Sequence, residues 1–215
     1  DMGFVDPPLV VTTHNQEIRL EALNERGQVL LSPLGRVLGN VDGVSVVDEK
    51  PSFLACNVER PAKRFEEENR SRQPSAFSAV RAIVDLFAGP DEHLGLYGAF
   101  GYDLAFQFEP IALQLARPED QRDLVLYIPD ELIVVDHQGG IAERRWYEFG
   151  FDDASTVGLS RGGSRAAYQP DLDLKAQRDH GPGEYSQAVE VAREYFLRGD
   201  LFEVVSSQTF VEPCP

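Results

Sequence analysis

The sequence predicts an α+β fold of antiparallel sheets with packed amphipathic helices, and three observations support it. The first sixty residues consist of short β-branched and leucine-rich runs divided by turn dipeptides. Two later stretches place apolar side chains at three- and four-residue spacing, the mark of a helix with one face in a core. Between them, Gln138-Gly139-Gly140 joins two strand-like runs at hairpin distance. Strands grouped with strands, rather than alternating strictly with helices, favour segregated over doubly wound layering.

Taken in order, 9–13, 17–24, 28–33 and 44–48 read as strands, punctuated by His14-Asn15, Arg26-Gly27, Asn40 and Asp42-Gly43. Glu17, Arg19 and Glu21 alternate with Ile18, Leu20 and Ala22, the period of two of a half-buried strand. A charged connection at 60–73 contains Glu66-Glu67-Glu68 and reads as a solvated loop or short helix. Pro74-Ser75 then opens a helix with Phe77, Val80, Ile83, Val84 and Phe87 on one face, ended by Gly89-Pro90. Gly95, Gly98 and Gly101 fit neither GxxxxGK[ST] nor GxGxxG, so a phosphate loop is excluded. They predict close backbone approach along a buried, aromatic-rich strand, with a short helical turn at 104–108.

Runs at 124–127, 131–136 and 141–149 have strand composition. From 152 to 180, Gly and Ser without periodicity predict a flexible linker between a first region, 1–151, and a second beginning at 181. The second region offers a helix with Tyr185, Ala188, Val189, Ala192, Tyr195 and Phe196 on one stripe, a Glu194–Arg198 pair and Gly199 at its end. After it, 201–210 reads as a strand offered to a sheet whose other members follow. An acidic residue ahead of the only methionine, Met2, reads as a start lying further upstream.

Composition excludes several functions. A formal charge of -16 repels phosphate backbones, so nucleic acid is not an expected partner. No run approaches the roughly 18 apolar residues that span a bilayer, and the first residues lack a basic segment followed by an apolar one. Cys56 and Cys214 lie far apart without CxxC spacing, which fits reduced thiols in the cytoplasm and excludes zinc. His14, His93, His137 and His180 sit in turn-like surroundings outside any catalytic motif. The carboxylate pairs Asp130-Glu131 and Asp152-Asp153 are sequence neighbours whose side chains point apart in a strand or turn. No catalytic residue is assigned.

Four segments together nevertheless resemble anthranilate synthase component I. They are RLEALNERG at 19–27, GLYGAFGYDLAFQFEP at 95–110, RDLVLYIPDELIVVDH at 122–137 and GDLFEVVSSQ at 199–208. The second is similar to the family's glycine-rich strand followed by an F-E-P tripeptide, the last to its GD-[IL]-F-Q-V-V strand. Their wording is closest to the fused form, with a glutamine amidotransferase domain downstream in the same chain.

The resemblance implies an incomplete portion of the chorismate-utilising fold, 181–215 being the start of the chorismate-binding domain. It implies a lyase that turns chorismate and glutamine-derived ammonia into anthranilate and pyruvate in tryptophan biosynthesis, using Mg²⁺. The family's catalytic and metal residues lie downstream of the GDLFEVV strand, so an isolated chain ending at Pro215 is expected to be inactive and to bind no metal. Feedback inhibition by tryptophan would involve the family's LLES-type strand, here Leu20, Glu21 and Ala22, with Glu21 facing the ligand's ammonium. Ala22 stands where the family usually has Ser. The alternatives are a portion of aminodeoxychorismate or isochorismate synthase, and a non-catalytic ligand-binding module.

Overall fold

A computed structural model describes residues 1–59, 73–108, 111–114, 116–163, 169–170 and 174–214. The charged connection at 60–72 lies outside them. The chain divides into two compact units, Asp1–Ser164 and Arg165–Pro215.

The first unit opens with β1 (Met2–Gly3), followed by the hairpin of β2 (Leu9–His14) and β3 (Glu17–Ala22). In β3 the alternation seen in the sequence is realised, with Ile18 and Leu20 buried on one face. The next segment is α1 (Glu25–Leu38), not the strand expected at 28–33. The Val-Leu-Leu run there imitates a strand, but Leu30, Leu31, Leu34 and Leu38 recur at helical spacing and all are buried. Asn24 caps the helix, its side-chain oxygen accepting from the Gly27 N–H at 3.1 Å. Pro33 lies inside α1; the lost bond costs about 3 kcal/mol, which burial of four leucines at about 1.5–3 kcal/mol each outweighs. Gly27 is not a turn glycine either. It permits close approach, because a Cβ there would collide with the Pro8 carbonyl oxygen.

β4 (Val44–Lys50) and β5 (Phe53–Val58) form the next hairpin. α2 (Ala76–Phe87) starts at Ser75 as expected, through reciprocal capping contacts between Ser75 and Ser78, and buries Ala76, Ala79, Ile83 and Phe87. β6 (Tyr97–Phe100) precedes a 3₁₀ turn, Tyr102–Gln107, and β7 (Leu124–Ile128) follows. The sheet order is β4-β5-β3-β2-β7-β6 with every pair antiparallel. Its inner face meets α1 and α2 in one core.

Close approach at Gly98 holds, since a Cβ would strike the Val125 carbonyl oxygen. Burial of that strand does not: β6 is the sheet edge and Phe100 is more than half exposed. An aromatic run indicates strand composition without saying which side is covered.

β8 (Glu131–Asp136) and β9 (Ile141–Trp146) form the expected hairpin around Gly140, at φ +64°, and pair with β1 in a separate sheet of three strands. A small hairpin, β10 (Gly150–Phe151) and β11 (Ala154–Ser155), then folds back. Phe149 and Phe151 stack edgewise on Phe87, and Thr156 is fully buried. Residues 152–163 therefore belong to the first unit rather than to a linker. Their Gly- and Ser-rich composition conceals the anchors on either side.

In the second unit β12 (Gln177–Arg178) pairs with β13 (Phe210–Val211), and α3 (Glu184–Arg198) runs between left-handed Gly183 and Gly199. No residue of α3 is buried, so its apolar stripe is open. Arg198 pairs with Asp200 at 3.0 Å rather than with Glu194. Of the strand expected at 201–210, only Phe210 takes that form, and Phe202 is fully exposed. β-branched composition supplies propensity, but a strand needs neighbours to pair with.

Candidate effector cleft at the start of α1

The period of two in β3 sends the three candidate residues to different places. Leu20 is fully buried in the core and presents no side chain to a ligand. Glu21, on the opposite face, accepts from Arg19 Nε at 2.7 Å, and the Arg19 guanidinium lies over the Phe53 ring at 3.9 Å. Ala22, the last residue of the strand, lines a cleft with Leu23, Asn24, Glu25 and Gln28 on one side and Ser160, Gly162 and Gly163 on the other. Glu21 is not among the lining residues. The cleft is largely polar, with amide, carboxylate and hydroxyl groups converging from sequence positions more than 130 residues apart.

The far wall is held by a residue that sequence reading treated as turn punctuation. Arg26 is fully buried in the first turn of α1. Its Nε donates to Asp130 Oδ2, its two terminal nitrogens to Glu148 Oε2 at 3.0 Å and to the carbonyl oxygens of Thr156 at 2.7 Å and Tyr147 at 2.9 Å. Arg161 joins the cluster, donating to Tyr147 O at 2.9 Å and Glu148 Oε1 at 2.7 Å. Thr156 donates its hydroxyl to Glu148 and receives the Phe149 N–H. Burial pushes the Glu148 carboxyl up, but the bonds from Thr156, Arg161 and Arg26 outweigh it and hold the group below the usual carboxylate range. Two guanidinium groups against two carboxylates leave the cluster neutral, as a desolvated cluster requires. Its sequence signal was an arginine one position before a close-packed glycine, and a lone Arg-Gly pair does not distinguish that from a turn.

Candidate catalytic groups stay apart. His14 Nδ1 contacts Gln121 O, His137 pairs with Asp1, and His180 with Asp179. His93 sits beside Asp91 and Arg145. Asp130 and Asp153 are taken up by arginines, Arg26 and Arg36. Cys56 is buried, which pushes its thiol up to about 11 and leaves it unreactive at neutral pH. Among the described residues no group of three or more His, Cys, Asp or Glu side chains is arranged to hold a metal ion, and no helix is long and apolar enough to cross a membrane.

The family model for chorismate binding enzymes matches residues 44–215. Over 214 residues the chain is 50% identical to the anthranilate synthase of Azospirillum brasilense, covering 99% of this chain and 29% of that protein. It is 28% identical over 226 residues to anthranilate synthase component 1 of Vibrio parahaemolyticus, covering 99% of this chain and 41% of the relative. Against component 1 of Escherichia coli the identity is 24% over 226 residues, with 99% and 43% covered. The chain thus spans less than half the length of each of these curated relatives. With most of its length matched by the family model, the chain belongs to the chorismate binding enzyme family.

Proposed function

We propose that this chain is the N-terminal part of an anthranilate synthase, the lyase that converts chorismate and glutamine-derived ammonia to anthranilate and pyruvate in tryptophan biosynthesis. The observation that supports this best is 50% identity along 99% of the chain to a protein of that name. The same share of this chain covers 29% of the Azospirillum relative but 41% of the Vibrio one, so the former is the longer protein. That difference supports a fused amidotransferase domain here too. Family resemblance implies Mg²⁺ as the cofactor of the whole enzyme. Cysteine usage without CxxC spacing and the biosynthetic role support a cytoplasmic enzyme.

In this reading the first unit is regulatory. Tryptophan binds at the Ala22 cleft, its ammonium and carboxylate satisfied by groups such as Glu25, Asn24, Gln28 and Ser160. The full-length enzyme is expected to form fluorescent anthranilate from chorismate, glutamine and Mg²⁺; an aminodeoxychorismate or isochorismate product would refute the assignment. Tryptophan is expected to inhibit it. Ala22→Ser restores a hydroxyl worth roughly 0.5–1.5 kcal/mol, so the inhibition constant should fall about 2- to 13-fold. An unchanged constant would remove Ala22 from the site.

A further inference from the structure

The hydrogen bonds and ion pairs that hold residues 156–163 come from a buried charged cluster. Among the described residues the segment has no regular secondary structure, Val157 points to solvent, and Gly158, Gly162 and Gly163 bring no side chain to pack. Its position is set by the carbonyls of Thr156 and Leu159, which accept from Arg26, by the Thr156 hydroxyl on Glu148, and by Arg161 on Tyr147 and Glu148. Asn24, the cap of α1, reaches the Arg161 carbonyl at 3.5 Å. The same segment supplies Ser160, Gly162 and Gly163 to one wall of the cleft, and the helix turn carrying Arg26 supplies Asn24, Glu25 and Gln28 to the other. One buried guanidinium therefore ties the two walls together without touching the space between them.

We propose that Arg26 and Arg161 are positioning residues for effector binding: they set the gap between α1 and 156–163, and thereby the affinity of the cleft for a free amino acid. The proposal rests on the reading that tryptophan occupies the Ala22 cleft. An arginine is required because its planar fork presents five donors to acceptors fixed in different directions. A lysine at position 26 keeps the charge and loses the fork.

The test uses the full-length enzyme with Arg26→Lys, Arg161→Ala and, as a control, Arg117→Ala. Arg117 anchors the other end of the same sheet through Asp123, Asp103 and Asn15, away from the cleft. Arg161→Ala is the variant expected to fold normally, because that side chain is already partly exposed. In Arg161→Ala and Arg26→Lys the tryptophan inhibition constant should rise about fivefold or more, with kcat and KM for chorismate within about twofold of the parent. Hydrogen exchange of 156–163 should slow on adding tryptophan to the parent and much less in Arg161→Ala. The control should melt at a lower temperature with its inhibition constant unchanged. If both cluster variants behave like the control, the cluster only stabilises the fold and the proposal fails. If tryptophan neither inhibits nor protects the unmodified enzyme, the effector reading itself falls, and the proposal with it.

Discussion

The six-stranded sheet is closed at its two ends by two arginines that solve the same problem differently. At the end where β3 leaves for α1, Arg26 is completely buried and divides its donors between carboxylates and backbone carbonyls. At the end where β2 turns into β3, Arg117 retains 12% exposure and meets side chains: Asp123, Asp103 at 2.9 Å and the Asn15 amide oxygen at 2.8 Å. That turn has its own constraint, since Asn15 is left-handed at φ +55° and donates its N–H to Asp123 Oδ2 at 2.7 Å. The partners decide what each arginine can organise. Bonds to carbonyls fix the path of an irregular segment, whereas bonds to side chains fix a turn already shaped by its own backbone.

The largest expected effect follows from the deeper burial. Arg26→Ala leaves Asp130, 1% exposed, without its hydrogen-bonded cation and with only Arg161 Nε at 3.8 Å, and breaking a buried pair this way costs about 3–5 kcal/mol. Urea unfolding should register it as a lower midpoint at unchanged slope. A double variant, Arg26→Met with Asp130→Leu, removes the unpaired charge and should recover part of that loss. Full recovery would contradict the comparison, because the Tyr147 and Thr156 carbonyls and Glu148 each lose one donor, the two carbonyls keeping only Arg161 and the Leu159 N–H. Arg117→Ala should cost less, about 1–3 kcal/mol, since solvent already reaches that arginine and Asp123, itself 1% exposed, keeps the Asn15 N–H. A loss as large as that of Arg26→Ala would mean that exposure does not separate the two ends.

How much of this was legible in the sequence depends on the range of the interactions. The β3 alternation, α2 and the β8–β9 hairpin were, because period and turn chemistry are properties of neighbouring residues. α1 was not: Gly27, Gly35 and Pro33 lower its propensity, and the leucine contacts that override it come from β3 and β5. The strand expected at 201–210 failed in the opposite sense, having propensity without a partner. Of the cleft, only Ala22 was in view. Ser160 and Gly162 reach it through bonds from Arg26 and Asn24 to residues 130 and more positions away, for which a single sequence carries no signal.

The gradient of burial extends to a third arginine and predicts the smallest effect, readable only through pH. Arg145, 31% exposed, donates to Asp91 Oδ1 at 2.9 Å, where Asp91 also accepts the His93 N–H at 3.0 Å and the Tyr147 hydroxyl at 3.0 Å. The His93 N–H above all, then Tyr147, the His93 ring and Arg145, hold the Asp91 carboxyl down at about 2 against an ordinary value of 3.8. A depressed folded-state value means that the folded protein binds a proton less readily than the unfolded chain. The stabilisation is therefore complete above the unfolded value, near 4, and is lost as pH falls toward 2. Asp91→Asn should lower the melting temperature at pH 6, and the gap to the parent should narrow steadily between pH 4 and pH 2. A gap that stays constant across that window would show that the Asp91 side chain contributes by shape rather than by charge. Raising salt should shrink the pH 6 gap, because a partly exposed pair is screened, while the corresponding gap for Arg26→Ala should hardly move.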